Sequence, residues 1–168
     1  MQIDIGFGDT ITPPPVETSF PTILNGPAPL LLAYPKETVV AEKFEAMVKL
    51  GMANSRMKDF HDLRTLSELF PFDGKLLAEA IMRTFERRKT ALPTIEAPPR
   101  SFTAEFYEDE SKQSQWAAFN TKNRLYIEAV PLKLVVGDIE RFLMPLVIGI
   151  ATKEHWKRSW PVGGPWQD

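Results

Sequence analysis

Apolar residues recur along this chain with two different periods. Near the N-terminus Ile3, Ile5 and Phe7 alternate with Gln2, Asp4 and Gly6, the two-residue period of a strand. Gly8 and Asp9 break that pattern, and Pro13, Pro14 and Pro15 exclude ladder structure for several residues. Two extended pieces follow, SFPTIL and PLLLAYP, parted by Asn25-Gly26-Pro27, a turn signal.

Beyond Pro35 the period lengthens to that of a helix. Residues 36–50 read as a first helix with Val39, Val40, Met47 and Leu50 as its stripe and Gly51 as its C-cap. Asn54 or Ser55 caps a second helix, which runs to about Leu69 with Leu63, Leu66 and Phe70 as its stripe and is ended by Pro71. Asp73 caps a third over residues 75–89, with Leu77, Ile81 and Phe85 on its apolar side. Pro93, Pro98 and Pro99 make a connector, and Ser101 or Thr103 starts a short helix around Phe106. Asp109 or Ser111 caps the next helix, over residues 112–122, with Trp116 and Phe119 inward. Residues 132–150 form the last, kinked at Pro145. The end of the chain, KRSWPVGGPWQD, has no period and reads as a loose tail.

The first two helices share an irregularity. At about 100° per residue, Lys43 falls inside the stripe of the first and Asp59 inside that of the second, with Asp62 on its margin. A desolvated charge without a partner costs several kcal/mol, so Lys43 and Asp59 should meet each other or a ligand. That leaves two readings, an ion pair stitching two helices and the wall of an active site. Arg56 is close enough in angle to Asp59 to reach the same cleft, while Lys58 points away. His61 faces opposite the stripe, as a surface residue does.

Composition narrows the class. At 168 residues, with 43% hydrophobic and 25% charged, the chain has the balance of a soluble globular domain. The absence of cysteine excludes disulfides and thiolate metal sites, and two isolated histidines make no zinc site. Residues 142–151 form the longest strongly apolar run and are about half the length of a bilayer span. With no secretory leader pattern at the start, the cytoplasm is the expected compartment. A net charge of −2 argues against a strongly electrostatic nucleic-acid binder. Arg83, Arg87, Arg88 and Lys89 make the best local patch, though cations at a helix C-terminus also answer to the macrodipole.

The opening IDIGFGD, then AEKFEAMV, then NSRMKDFHDL resemble, in that order, the AbiEii family of nucleotidyltransferase toxins over roughly residues 1 to 125. The resemblance implies an α+β fold, mostly helical here. Residues 1–35 would be a short strand region of a nucleotidyltransferase sheet with its Pro-rich connector, 36–152 a helical bundle and 153–168 the loose tail. It implies transfer of a nucleotide from an NTP to an acceptor such as tRNA, with Mg²⁺ as the metal and an antitoxin protein as partner. Catalytic roles fall on Asp4, Lys43, Asp59 and Asp62. Asp4 is the metal-facing carboxylate, with Asp9 its competitor. Lys43 is the cation facing the triphosphate, joined by Arg56 as a nucleotide-binding residue, and Asp59 and Asp62 orient that lysine or the nucleotide.

One departure stands beside the match. The family's Gly-Ser turn and Asp-x-Asp strand have no counterpart, since no Gly-Ser dipeptide occurs in the sequence. The expectation is the C-terminal portion of such an enzyme, incomplete by itself. The alternative is a non-catalytic helical module that binds a nucleotide or a protein. An exposed strand edge at residues 1–7 would also invite self-association.

Overall fold

The computed structural model describes residues 11–22, 26–152 and 156–168. The strand pattern of residues 1–7, the self-association assigned to it, Asp4 and Asp9 lie outside the described residues. Helices hold 57% of the described residues and the strands are short, so the α+β, mostly helical class holds.

Strand β1 (Val16–Ser19) pairs antiparallel with β2 (Leu30–Ala33), Val16 opposite Ala33. Pro35 then opens helix α1 (Lys36–Leu50). The Thr12 backbone N–H donates to the Thr38 hydroxyl, and that hydroxyl donates back to the Thr12 carbonyl at 2.8 Å. This buried double bond ties the N-terminal segment to the first turn of α1. Gly51 closes the helix at φ 48°, where the missing Cβ makes a left-handed residue inexpensive.

Helix α2 (Met57–Leu69) follows, then α3 (Gly74–Arg88), α4 (Ala104–Tyr107), α5 (Glu110–Asn123) and α6 (Leu132–Ala151). The aspartates expected as caps are the caps. Asp73 accepts from the Leu76 amide and Asp109 from the Lys112 amide, each at 3.0 Å, replacing hydrogen bonds that a first helical turn lacks. Helix α1 packs along α3, and α2 along α6.

The buried faces are rotated from the expected stripes. In α1 the core takes Val40, Ala41, Phe44 and Met47, while Leu50 is exposed. Phe44, four residues after Val40 and three before Met47, decides this, because its ring packs on Phe85 and Phe102 with centroids 5.4 and 6.1 Å apart. In α2, Met57, Phe60 and Leu63 are buried and Phe70 is exposed. Phe60 stacks on Phe106 at 5.3 Å. Lys43 and Asp59 therefore lie on the flanks of the buried faces, not at their centres.

The last residues correct the expectation of a loose tail. Strand β3 (Phe72–Asp73) pairs with β4 (Ser159–Trp160), bringing the end of the chain back to the junction of α2 and α3. Trp156 and Trp160 are buried, and Trp160 Nε1 donates to the Ser67 carbonyl at 2.7 Å. Trp166 Nε1 donates to the Phe142 carbonyl at 2.8 Å. Gly149 of α6 and Gly74 of α3 make room for Trp156, because a Cβ on either would come within 2.4 Å of its ring. Three large rings, two of them with bonded N–H groups, fix a segment that has no helical or strand period.

Candidate functional site

The flank of α1 meets the start of α2 in a compact ionic cluster. Lys43 Nζ lies 2.6 Å from Asp59 Oδ1 and 2.8 Å from Asp62 Oδ2. Arg56 Nε lies 2.7 Å from Asp59 Oδ2, a charge contact without the alignment of a hydrogen bond, so that buried oxygen accepts none from the described residues. Side-chain exposure falls from 58% for Arg56 to 17% for Lys43 and 5% for Asp59. The cluster thus grades from solvent into the core. Lys58 is largely solvated, as its angle suggested, and its Nζ also reaches Asp62 Oδ2 at 2.6 Å. His61 is half-buried against the Phe119 ring, 5.7 Å between centroids, not on the open surface, because α5 covers that side of α2.

Local geometry aims Arg56. It stands at the N-terminal boundary of α2, with no side chain capping the helix, and its amide donates to the Asn54 Oδ1 at 2.9 Å. The Asn54 carbonyl in turn accepts from the buried Lys112 Nζ of α5 at 3.0 Å. A turn held from two sides fixes the Arg56 backbone, and the contact with Asp59 Oδ2 draws its guanidinium to the cluster.

Charge states follow from these contacts. Burial alone would push the Lys43 ammonium down, but its hydrogen bonds to Asp59 and Asp62 and their charges outweigh that, and its pKa stands above the usual lysine value. Burial likewise opposes ionisation of Asp62, yet the hydrogen bonds from Lys43 and Lys58 hold its carboxyl below the usual range. At neutral pH Lys43 is a cation and Asp62 an anion. Neither is poised as a proton-transfer group, and the cluster's chemistry is electrostatic.

A cavity of about 310 Å³ opens beside the cluster, lined by Tyr34, Val39, Glu42, Lys43, Arg56 and Arg88. Arg88, from the end of α3, is braced by Glu45 Oε2 at 2.8 Å and Glu42 Oε1 at 3.5 Å. Glu45 is buried and also accepts a hydrogen bond from the Thr90 hydroxyl. Three cations therefore border the cavity, each held by a carboxylate, and one carboxylate, Glu42, lines it beside them. That arrangement suits a polyanion, since the cations are positioned before it arrives.

Sequence reasoning brought Lys43, Asp59, Asp62 and Arg56 together, and the structure does so too. It missed Tyr34 as a site residue and read Arg88 as a helix-end cation. Arg88 reaches the cavity across 45 residues of sequence, beyond any local period. Tyr34 did carry a signal, a bulky aromatic fixed before a proline at a helix start.

No group of three or more His, Asp or Glu gathers among the described residues, and Asp59 and Asp62 already face cations. Asp4, to which the metal role was assigned, lies outside the described residues. Among the described residues no helix is long and apolar enough to cross a membrane.

No curated protein and no solved structure matches the chain. The family model described as nucleotidyl transferase AbiEii toxin, type IV toxin–antitoxin system, matches residues 1–131, a span that includes every residue of the cavity and its ionic cluster. The chain belongs to the AbiEii nucleotidyl transferase toxin family.

Proposed function

We propose that the cavity between α1, α2 and α3 binds the triphosphate of an NTP, and that the nucleotide is transferred to an acceptor such as tRNA within a system that includes a cognate antitoxin. The observation that carries this is the convergence of Lys43, Arg56 and Arg88 on one cavity, each braced by a carboxylate. In nucleotidyl transfer an acceptor oxygen bonds to the α-phosphorus as the bond to pyrophosphate breaks. Negative charge then builds on the leaving group, where fixed cations lower the barrier most. Lys43 and Arg56 supply that charge in this reading, and Asp59 and Asp62 position them. Asp4 would hold Mg²⁺, and the compartment would be the cytoplasm.

Titration calorimetry with the four NTPs, beside a label-transfer assay on tRNA, tests the reading. The wild-type chain should bind NTP. The variant Lys43→Met with Asp59→Leu should fold and lose NTP affinity by at least about 100-fold, because an apolar wall cannot hold a triphosphate. Unchanged binding by that variant would sink the assignment.

A second reading, a helical module that binds a nucleotide without transferring it, is favoured by the pairing of both Asp59 and Asp62 with cations. It predicts NTP binding with no label transfer.

A further inference from the structure

The cavity has an aromatic side that phosphate recognition leaves unused. Tyr34 follows β2 and precedes Pro35, and it lines the same cavity as Lys43, Arg56 and Arg88. It is 49% exposed, and among the described residues no ring contact or hydrogen bond occupies it. Its mount is stiff. Pro35 restricts the preceding residue to extended backbone, the Pro35 carbonyl accepts from the Val39 amide at 3.2 Å, and the Thr12–Thr38 bonds hold the neighbouring turn. A tyrosine has few rotatable bonds, so a fixed backbone leaves its ring only a few rotamers. Val39, one turn into α1, adds an apolar wall.

We propose that Tyr34, with Val39, forms a nucleobase subsite beside the phosphate-facing cations, so that the cavity selects a nucleoside triphosphate over a bare polyphosphate. This rests on the triphosphate reading above and adds to it the part of the ligand that carries no charge. Base stacking on an aromatic ring uses the π-face that every base has. The platform therefore holds purine and pyrimidine nucleotides alike and does not choose among them by hydrogen bonding.

The test is calorimetric titration of the full chain with ATP, CTP and inorganic tripolyphosphate, for wild type, Tyr34→Phe and Tyr34→Ala. Wild type should bind the nucleotides more tightly than tripolyphosphate. Tyr34→Ala should weaken both nucleotides by about tenfold or more and leave tripolyphosphate within about twofold. Tyr34→Phe should keep wild-type affinity, since the ring and not the hydroxyl does the stacking. Unchanged nucleotide affinity in Tyr34→Ala, an equal loss for tripolyphosphate, or a loss in Tyr34→Phe matching that of the alanine variant would each overturn the subsite. With tripolyphosphate still bound by the wild-type chain, the triphosphate reading would survive that failure. A wild-type chain that binds none of the three ligands would overturn both.

Discussion

The seam between α1 and α2 and the tryptophan cluster under α6 hold the same molecule together by opposite means. At the seam Lys43, Arg56, Lys58, Asp59 and Asp62 meet within 2.6–2.8 Å of one another's charged atoms. Around α6, Phe142 packs on Phe72, Trp160 and Trp166 with centroids 5.0, 4.9 and 5.9 Å apart, and indole N–H groups find backbone carbonyls. Aromatic packing returns stability for the area it buries. A partly buried ion cluster returns little, because desolvation offsets most of the Coulomb gain. A fold shaped for stability alone has small use for the seam, and the proposed triphosphate site beside it would supply the other reason.

The largest effect should come from the aromatic side. Phe142→Ala removes a fully buried ring and should cost about 3–5 kcal/mol in urea denaturation. At temperatures where the variant stays folded, its NTP affinity should equal that of wild type. A collapse of affinity in a folded Phe142→Ala chain would erase the division between the two regions.

Next comes the seam itself. Lys43→Met strands Asp59, whose side chain is 5% exposed, and should cost about 2–3 kcal/mol. The cost stays below that of a fully orphaned charge because Arg56 still faces the same carboxylate. Adding Asp59→Leu should return the stability, which denaturation midpoints would show. If the double variant stays as unstable as the single one, the seam is a structural staple of a kind that apolar packing cannot replace.

The two regions should also differ in their response to pH. Asp62 has a folded pKa below its ordinary 3.8, so its contribution is present above that value and is lost as pH falls through the lower folded pKa. Lys43 has a folded pKa above its ordinary 10.5, so its contribution is present below that value and is lost as pH rises through the higher folded pKa. Denaturation midpoints should therefore decline at both extremes, and Asp62→Asn should flatten the acidic decline. An acidic limb unchanged in Asp62→Asn would assign it to other carboxylates.

The smallest effect belongs to Lys58. Its side chain is 73% exposed and shares Asp62 with Lys43, so Lys58→Ala should change stability by less than about 0.5 kcal/mol. A larger loss would extend the seam's energetics to the surface.

Much of the site was legible because its signals are local. A charged residue inside a helical stripe is visible from spacing alone, and it pointed to Lys43, Asp59, Asp62 and Arg56. Asp73 and Asp109 were legible as caps because a cap acts within three residues of itself. The rotation of α1 was not legible, since Val39 and Leu50 fit a helical period as well as Ala41 and Phe44 do. Contact with Phe85 and Phe102 breaks that tie.

By itself the sequence determined the order of the helices and most of their ends, the two charges that must be paired, and the motifs that place the chain in its family. Tertiary structure alone decided that Arg88 turns into the cavity against Glu45, that Tyr34 lines it, and that Trp156, Trp160 and Trp166 bind the tail to α6. Caps and stripes depend on neighbours one helical turn away, so spacing records them. A cavity wall and an aperiodic aromatic tail depend on residues tens of positions apart, and packing is the only force that selects among those pairings.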